Sequence, residues 1–156
     1  MSNAKAVSSS MSSTHTLKLF DGGPFCDLTL YRSTVGAHQY VLLTRPDLFF
    51  TVNKVCQFMH RLTVIHWTAV KRILQYLKET PHHGLKFNPQ ISPNLQAFSN
   101  ADWVGCPDDR RSTSGYLIYF GSNLISWTSW KQHIVVAHSS MEAEYRALAN
   151  STAKHI

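Results

Sequence analysis

Long apolar runs are missing from this 156-residue sequence. Every hydrophobic stretch is interrupted within a few residues, so no segment approaches the roughly 20 apolar residues of a membrane-spanning helix. Cysteine is scarce: Cys26, Cys56 and Cys106 lie far apart and are odd in number. They give neither a disulfide framework nor a zinc pattern, so a reducing compartment, cytoplasmic or nuclear, is the default. The Ser-rich opening lacks the apolar centre of a secretory signal. Charged residues are few, at 15%, against 44% hydrophobic. That balance excludes wholesale disorder and permits a core. The length suits one ordinary domain or two small ones.

Acidic residues are the scarcer sign, nine against fifteen basic, for a net charge of +6. The surplus is local. Residues 27–90 carry eight basic and three acidic side chains, whereas residues 91–156 carry five of each. A basic half beside a neutral half fits a polyanion-binding footprint, nucleic acid foremost, and equally a solvated lysine-rich helical surface.

Periodicity divides the chain in the same place. Residues 1–26 read as a flexible Ser/Thr-rich lead ending in the turn cluster Asp21-Gly22-Gly23-Pro24. Three helices are predicted next. The first, over 28–43, aligns Tyr31, Val35, His38 and Leu42. The second follows Pro46 and aligns Leu48, Val52, Val55, Cys56 and Met59. The third, over 64–78, aligns Trp67, Val70, Ile73, Leu74 and Leu77. Lys71, Arg72 and Lys78 fall off that last stripe and are free to meet solvent or phosphate. A period of two then takes over, with strands at 85–87, 95–99 and 114–120, a turn at Gly121-Ser122-Asn123, and a return strand at 124–130. Ile134-Val135-Val136 either prolong that strand or lead to a last helix. Ser139 and Glu142 have the spacing of a capping box for this helix, whose buried face is expected to be Met141, Tyr145 and Leu148. The class is α+β, with a helical segment at 27–90 and a strand-rich one at 91–156.

Several ordered strings carry a family resemblance. Leu30-Tyr31-Arg32-Ser33-Thr34-Val35-Gly36-Ala37, Thr44-Arg45-Pro46-Asp47-Leu48 and 70–78 resemble the part of copia-type LTR retrotransposon Pol polyproteins that follows the reverse transcriptase palm, a helical thumb or connection segment. Ala101-Asp102-Trp103-Val104-Gly105, 109–116 and 139–148 resemble the opening strands and first helix of the RNase H domain of the same polyproteins. The resemblance implies a truncated RNase H-like half of three antiparallel strands and one helix. Everything the family places after that helix is absent, which implies an open strand edge and marginal stability.

The family's activity is two-metal, Mg²⁺-dependent hydrolysis of RNA in RNA–DNA hybrids, which needs several converging carboxylates. The family's first-strand motif reads Ser-Asp-Ala-Asp-Trp, where this chain has Ser99-Asn100-Ala101-Asp102-Trp103. The resemblance thus puts an uncharged Asn100 at the metal-binding position. Asp102, two residues along the same strand face, lies ~6–7 Å further on. Glu144 corresponds to the family's helix ligand and Glu142 to a helix cap; the two later aspartates have no counterpart. Asn100, Asp102 and Glu144 are therefore vestiges, Glu144 alone retaining a metal ligand's chemistry. The polymerase motif is absent, Cys106-Pro107-Asp108-Asp109 being a turn. No cofactor is expected, although the parent family uses Mg²⁺. The resulting expectation is a Pol fragment without catalysis, binding nucleic acid weakly through Arg61, Lys71, Arg72, Lys78 and Lys86. Two alternatives stand beside it. One is an interaction module that completes its sheet with a reverse transcriptase or RNase H chain. The other is an RNase H complemented in trans. His82-His83 read as a polar loop, Trp127 and Trp130 as packing residues, and Cys106 as a spectator thiol.

Overall fold

A computed structural model describes residues 7–12, 16–89, 93–133 and 137–153. The chain divides into two compact units, Met1–Gly84 and Leu85–Ile156. Together they make an α+β fold.

The first unit is helical. Helix α1 spans Leu28–Val41, a 3-10 turn spans Pro46–Leu48, α2 spans Phe49–Cys56 and α3 spans Val64–Glu79. Asp27 caps α1, its Oδ1 accepting from the Leu30 amide at 2.8 Å. Thr63 caps α3 in a capping box whose second member is a histidine. The His66 Nδ1 accepts from the Thr63 amide at 3.2 Å, so its Nε2 carries the proton and donates to the Lys18 carbonyl at 2.9 Å. Each helix buries part of the stripe its periodicity predicts: Tyr31 and Val35 from α1, with Leu42 at its C-cap, Val52 and Val55 from α2, and Val70 and Ile73 from α3, with Leu48 between them, whereas Cys56, Met59, Trp67, Leu74 and Leu77 are only half-buried. The Tyr31 hydroxyl donates to the Val55 carbonyl at 2.9 Å within this core. Arg45 is buried and donates from Nε and Nη2 to both carboxylate oxygens of Asp47 and from Nη1 to the Thr80 carbonyl. This ties the α1–α2 connection to the end of α3.

Two expectations change here. Among the described residues of the lead, part is built into the unit: Leu17 joins the core, and the Phe25 amide bonds to the Leu62 carbonyl at 3.1 Å. Phe25 also stacks on Trp67 with ring centroids 5.1 Å apart. The short strand expected at 85–87 does not form. Instead the Asn88 backbone is gripped by the Asn123 side chain, which accepts from its N–H at 2.7 Å and donates to its carbonyl at 3.0 Å.

Burial also sets a pH dependence. His38 is enclosed in the α1 face, and desolvation, outweighing a backbone bond to Thr34, holds its imidazole below the ordinary 6.5. The unfolded chain then binds more protons than the folded one around that pH, so stability falls as pH drops through and below 6.5. Urea midpoints of the helical unit are expected to decline from about pH 8 to about pH 5, with a shallower decline in His38→Gln.

The second unit is a meander, β1 Leu95–Ala101, β2 Thr113–Phe120 and β3 Asn123–Lys131, in the order β1-β2-β3 and antiparallel throughout, followed by α4 Ser140–Ala153. Gly121, with φ at 59°, makes the left-handed bend of the β2–β3 turn. Ile134-Val135-Val136 lie outside the described residues. The Ser139 hydroxyl accepts from the Glu142 amide at 3.2 Å as expected, but Glu142 accepts from the amide of His138. The buried face of α4 is a correction. Ala143, Ala147 and Ser151 are buried, whereas Met141, Tyr145 and Leu148 are exposed. Close helix-to-sheet packing selects the small side chains, at i, i+4 and i+8, and turns the large ones outward.

Candidate catalytic remnant and basic face

The strand register fixes where Asn100, the first of the residues expected to be vestiges, stands. Asn100 pairs with Gly115, and Ala101 with Ser114. Gln132 Nε2 donates to the Ser114 hydroxyl at 2.7 Å and to the Ala143 carbonyl of α4 at 3.2 Å, which marks the Ser114 face as the one α4 covers. Pleating therefore places Asn100 on the opposite face. Glu144 follows buried Ala143 and is exposed. Neither the Asn100 nor the Glu144 side chain makes a hydrogen bond or ion pair with another described residue.

Asp102 has a different occupation. Its amide donates to the Thr113 carbonyl at 3.0 Å, and its Oδ1 accepts a short bond from the Thr113 amide. The carboxylate lies over Gly105: a Cβ there would stand 1.8 Å from Oδ2. Asp102 therefore closes the β1–β2 connection, and Gly105 is the residue type that leaves it room. This carboxylate is spent on backbone. No group of three or more His, Cys, Asp or Glu side chains is placed to hold a metal ion among the described residues. An uncharged amide, a carboxylate folded onto its own loop and one solitary Glu do not fit the carboxylate cluster that Mg²⁺ requires.

The five basic candidates divide differently. Lys71 and Lys78 are exposed, seven residues apart on the side of α3 away from buried Val70 and Ile73. Arg72 beside them is half-buried; its Nε and Nη2 donate to the Ser9 carbonyl and hydroxyl, both at 3.0 Å. Arg61 precedes α3 and sits over the Phe20 ring, 4.0 Å from its centroid. Lys86 is exposed and belongs to the second unit. The structure thus brings together Lys71, Arg72 and Lys78 on one helix. The charge count of residues 27–90 overstates the surface, because Arg45 and Lys54 are buried. Trp127 and Trp130 are half-buried, the latter edge-on to Tyr116 with centroids 6.0 Å apart, as packing residues are.

Comparison with known proteins accounts for the recurring strings. Over 154 residues, 99% of its length, the chain is 46% identical to the retrovirus-related Pol polyprotein from transposon RE2 of Arabidopsis thaliana, and equally to that from transposon RE1. It belongs to the copia-type retrotransposon Pol polyprotein family. A third relative, the retrovirus-related Pol polyprotein from transposon TNT 1-94 of Nicotiana tabacum, is 41% identical over 127 residues, which is 81% of the chain and 9% of that protein. The Pol segment spans about a tenth of the length of the curated RE polyproteins it matches. No family model matches the chain, and no solved structure does.

Proposed function

We propose that this Pol segment is an RNase H-like scaffold without hydrolytic activity that binds nucleic acid weakly through the exposed face of α3. The observation that carries the first half is the state of the three vestiges. Asn100 brings no charge, the Asp102 carboxylate is held by Thr113 over Gly105, and Glu144 stands alone. Mg²⁺-assisted attack on a phosphodiester has no charged cradle in such a set. Purified chain is expected to leave an RNA–DNA hybrid intact with Mg²⁺ present; metal-dependent cleavage above a metal-free control refutes the reading. Asn100→Asp alone is expected to stay inactive, since it restores only one charge.

The second half rests on Lys71 and Lys78 sharing one solvent face, with Arg72 alongside. Cations aligned on a helix meet successive phosphates, and each phosphate contact releases condensed counterions. Replacing Lys71 and Lys78 together by Gln is expected to weaken duplex binding about tenfold at low salt and to flatten the log–log salt dependence by roughly 1–2. Filter binding across a salt series checks this; an unchanged slope removes α3 from the interface.

One observation favours a second reading, an interaction module. Six consecutive β1 residues, 95–100, are exposed, and among the described residues β1 pairs only with β2. An open edge accepts another strand through main-chain hydrogen bonds. Titration with the complementary part of an RNase H chain tests it by slowed hydrogen exchange in β1. Trans-complemented RNase H activity would require this association and also a charge at Asn100.

A further inference from the structure

Cys106, Asp109 and Lys131 converge where the β1–β2 connection folds back on the end of β3. The thiol is buried, at 1% exposure. Lys131 Nζ stands 3.0 Å from Cys106 Sγ and 2.7 Å from Asp109 Oδ2. The loop that presents these groups is closed by its own backbone. Cys106 N–H donates to the Arg111 carbonyl at 3.1 Å, Arg110 N–H donates to the Cys106 carbonyl at 2.8 Å, and Arg110 takes a left-handed φ of 56°. The Arg111 amide donates to Asp109 Oδ1 at 3.2 Å, and its Nε lies 3.6 Å from Oδ2. The carboxylate is thereby aimed at the amine. Burial opposes charge on both Asp109 and Lys131, but their pairing wins, lowering the one and raising the other. Together they hold an ammonium against the sulfur.

The Lys131 amine is therefore within bonding reach of the sulfur, the atom that peroxides oxidise. Burial hides Cys106 from bulky reagents, yet Lys131 is 22% exposed and Asp109 37% exposed. Local opening of the turn admits a molecule as small as hydrogen peroxide. No other cysteine lies within residues 85–156, so a sulfenic acid formed here has no resolving thiol in its own unit. Its near nucleophile is nitrogen.

We propose that Cys106 and Lys131 form a reversible redox crosslink, a sulfenamide between Sγ and Nζ, when the protein meets a peroxide. In the first step Cys106 gives up its thiol proton and its sulfur attacks one peroxide oxygen. The O–O bond breaks, hydroxide leaves and is protonated to water, and the sulfur is oxidised by two electrons to the sulfenic acid. In the second step Lys131 passes a proton to Asp109, and its free electron pair attacks the sulfur. The S–O bond breaks, the departing hydroxide takes the proton back from Asp109 as water, and the new S–N link sheds its extra proton to solvent. One thiol, one ammonium and one hydrogen peroxide give one sulfenamide, two waters and one proton. Sulfenic acids are known to condense with amide nitrogen in this manner. The link ties the 106–111 turn covalently to β3.

The test uses the full chain with Cys26→Ser and Cys56→Ser, so that no disulfide can form within it. After hydrogen peroxide treatment, intact-mass measurement is expected to show the loss of two hydrogens, reversed by dithiothreitol. Peptide mapping is expected to join the Cys106 peptide to the Lys131 peptide. Lys131→Arg, which keeps the charge but not the amine nucleophile, is expected to abolish the link, and Asp109→Asn to slow it about tenfold. Oxygen gain at Cys106 without a joined peptide overturns the proposal, as does a link that survives Lys131→Arg. Mapping of the chain with Lys131 and Asp109 intact decides the matter even if either variant fails to fold.

Discussion

Leu48→Ala is expected to destabilise the helical unit by about 2–5 kcal/mol, the largest effect of any single truncation named here. Leu48 has no solvent exposure and sits at the end of the 3-10 turn, where the chain enters α2. Its neighbours in the core include Tyr31, Val35, Val52, Val55, Val70 and Ile73, each likewise fully buried. Each is already engaged on several sides, so the gap left by three carbons and a branch closes only in part, and a cavity term adds to the lost transfer energy. The total stability of a unit of some 80 residues is of the same order, about 5–10 kcal/mol. Urea unfolding followed by hydrogen exchange of the α1–α3 amides reads the shift, with the midpoint moving and the slope unchanged. Leu43→Ala is the control: that side chain is 71% exposed, and its loss is expected to stay within about 0.5 kcal/mol. Equal effects at the two positions would show that this core is not what holds the unit together.

The second large effect is expected at Gly105, and it has an unusual signature. A Cβ on Gly105 collides with the Asp102 carboxylate, so Gly105→Ala must turn that carboxylate away from the Thr113 amide. Asp102→Ala removes the same bond directly. Each substitution is expected to cost the strand-rich unit about 1–3 kcal/mol, since each leaves a half-buried amide without its charged acceptor. The double variant is expected to cost little more than either single one, because one bond cannot be lost twice. Hydrogen exchange at Thr113 reports the loss locally. Additive costs would show that Gly105 matters for a reason other than room for Asp102.

The helical unit was legible in the sequence because its core is made of large apolar side chains at helical spacing. Tyr31, Val35 and Leu42 declare a face by themselves, and so do Val70 and Ile73. The same rule misled in α4. There the apolar stripe of Met141, Tyr145 and Leu148 is the outer one, and the buried stripe of Ala143, Ala147 and Ser151 is too small and mixed to stand out in a hydropathy pattern. The structured part of the lead was hidden for a related reason. Leu17 is one apolar residue among polar ones, and the contacts that fix its surroundings reach far along the chain, as from Lys18 to His66. Of the site, the missing charge at Asn100 could be read directly against the family motif. The role of Asp102 could not, because nothing in the spacing of Asp102, Gly105 and Thr113 announces a carboxylate folded over a glycine. Nor does spacing announce the approach of Cys106 to Lys131, which are 25 residues apart and meet only once the meander has formed.

The meander also implies an order of events in time. Its strands neighbour one another in sequence and, among the described residues, pair only with those neighbours, β2 and β3 through the turn at Gly121. Closing such short loops takes little chain entropy, and a hairpin of this kind forms on a scale of microseconds. The helical unit must instead close spans of 48 residues between Lys18 and His66 and 63 between Ser9 and Arg72. These long closures raise its contact order, and the attachment of Ser9 and of Leu17 with Lys18 is expected to be its slowest tertiary step. Refolding from urea is therefore expected to show α1, α2 and α3 gaining amide protection before the Leu17 segment docks upon them.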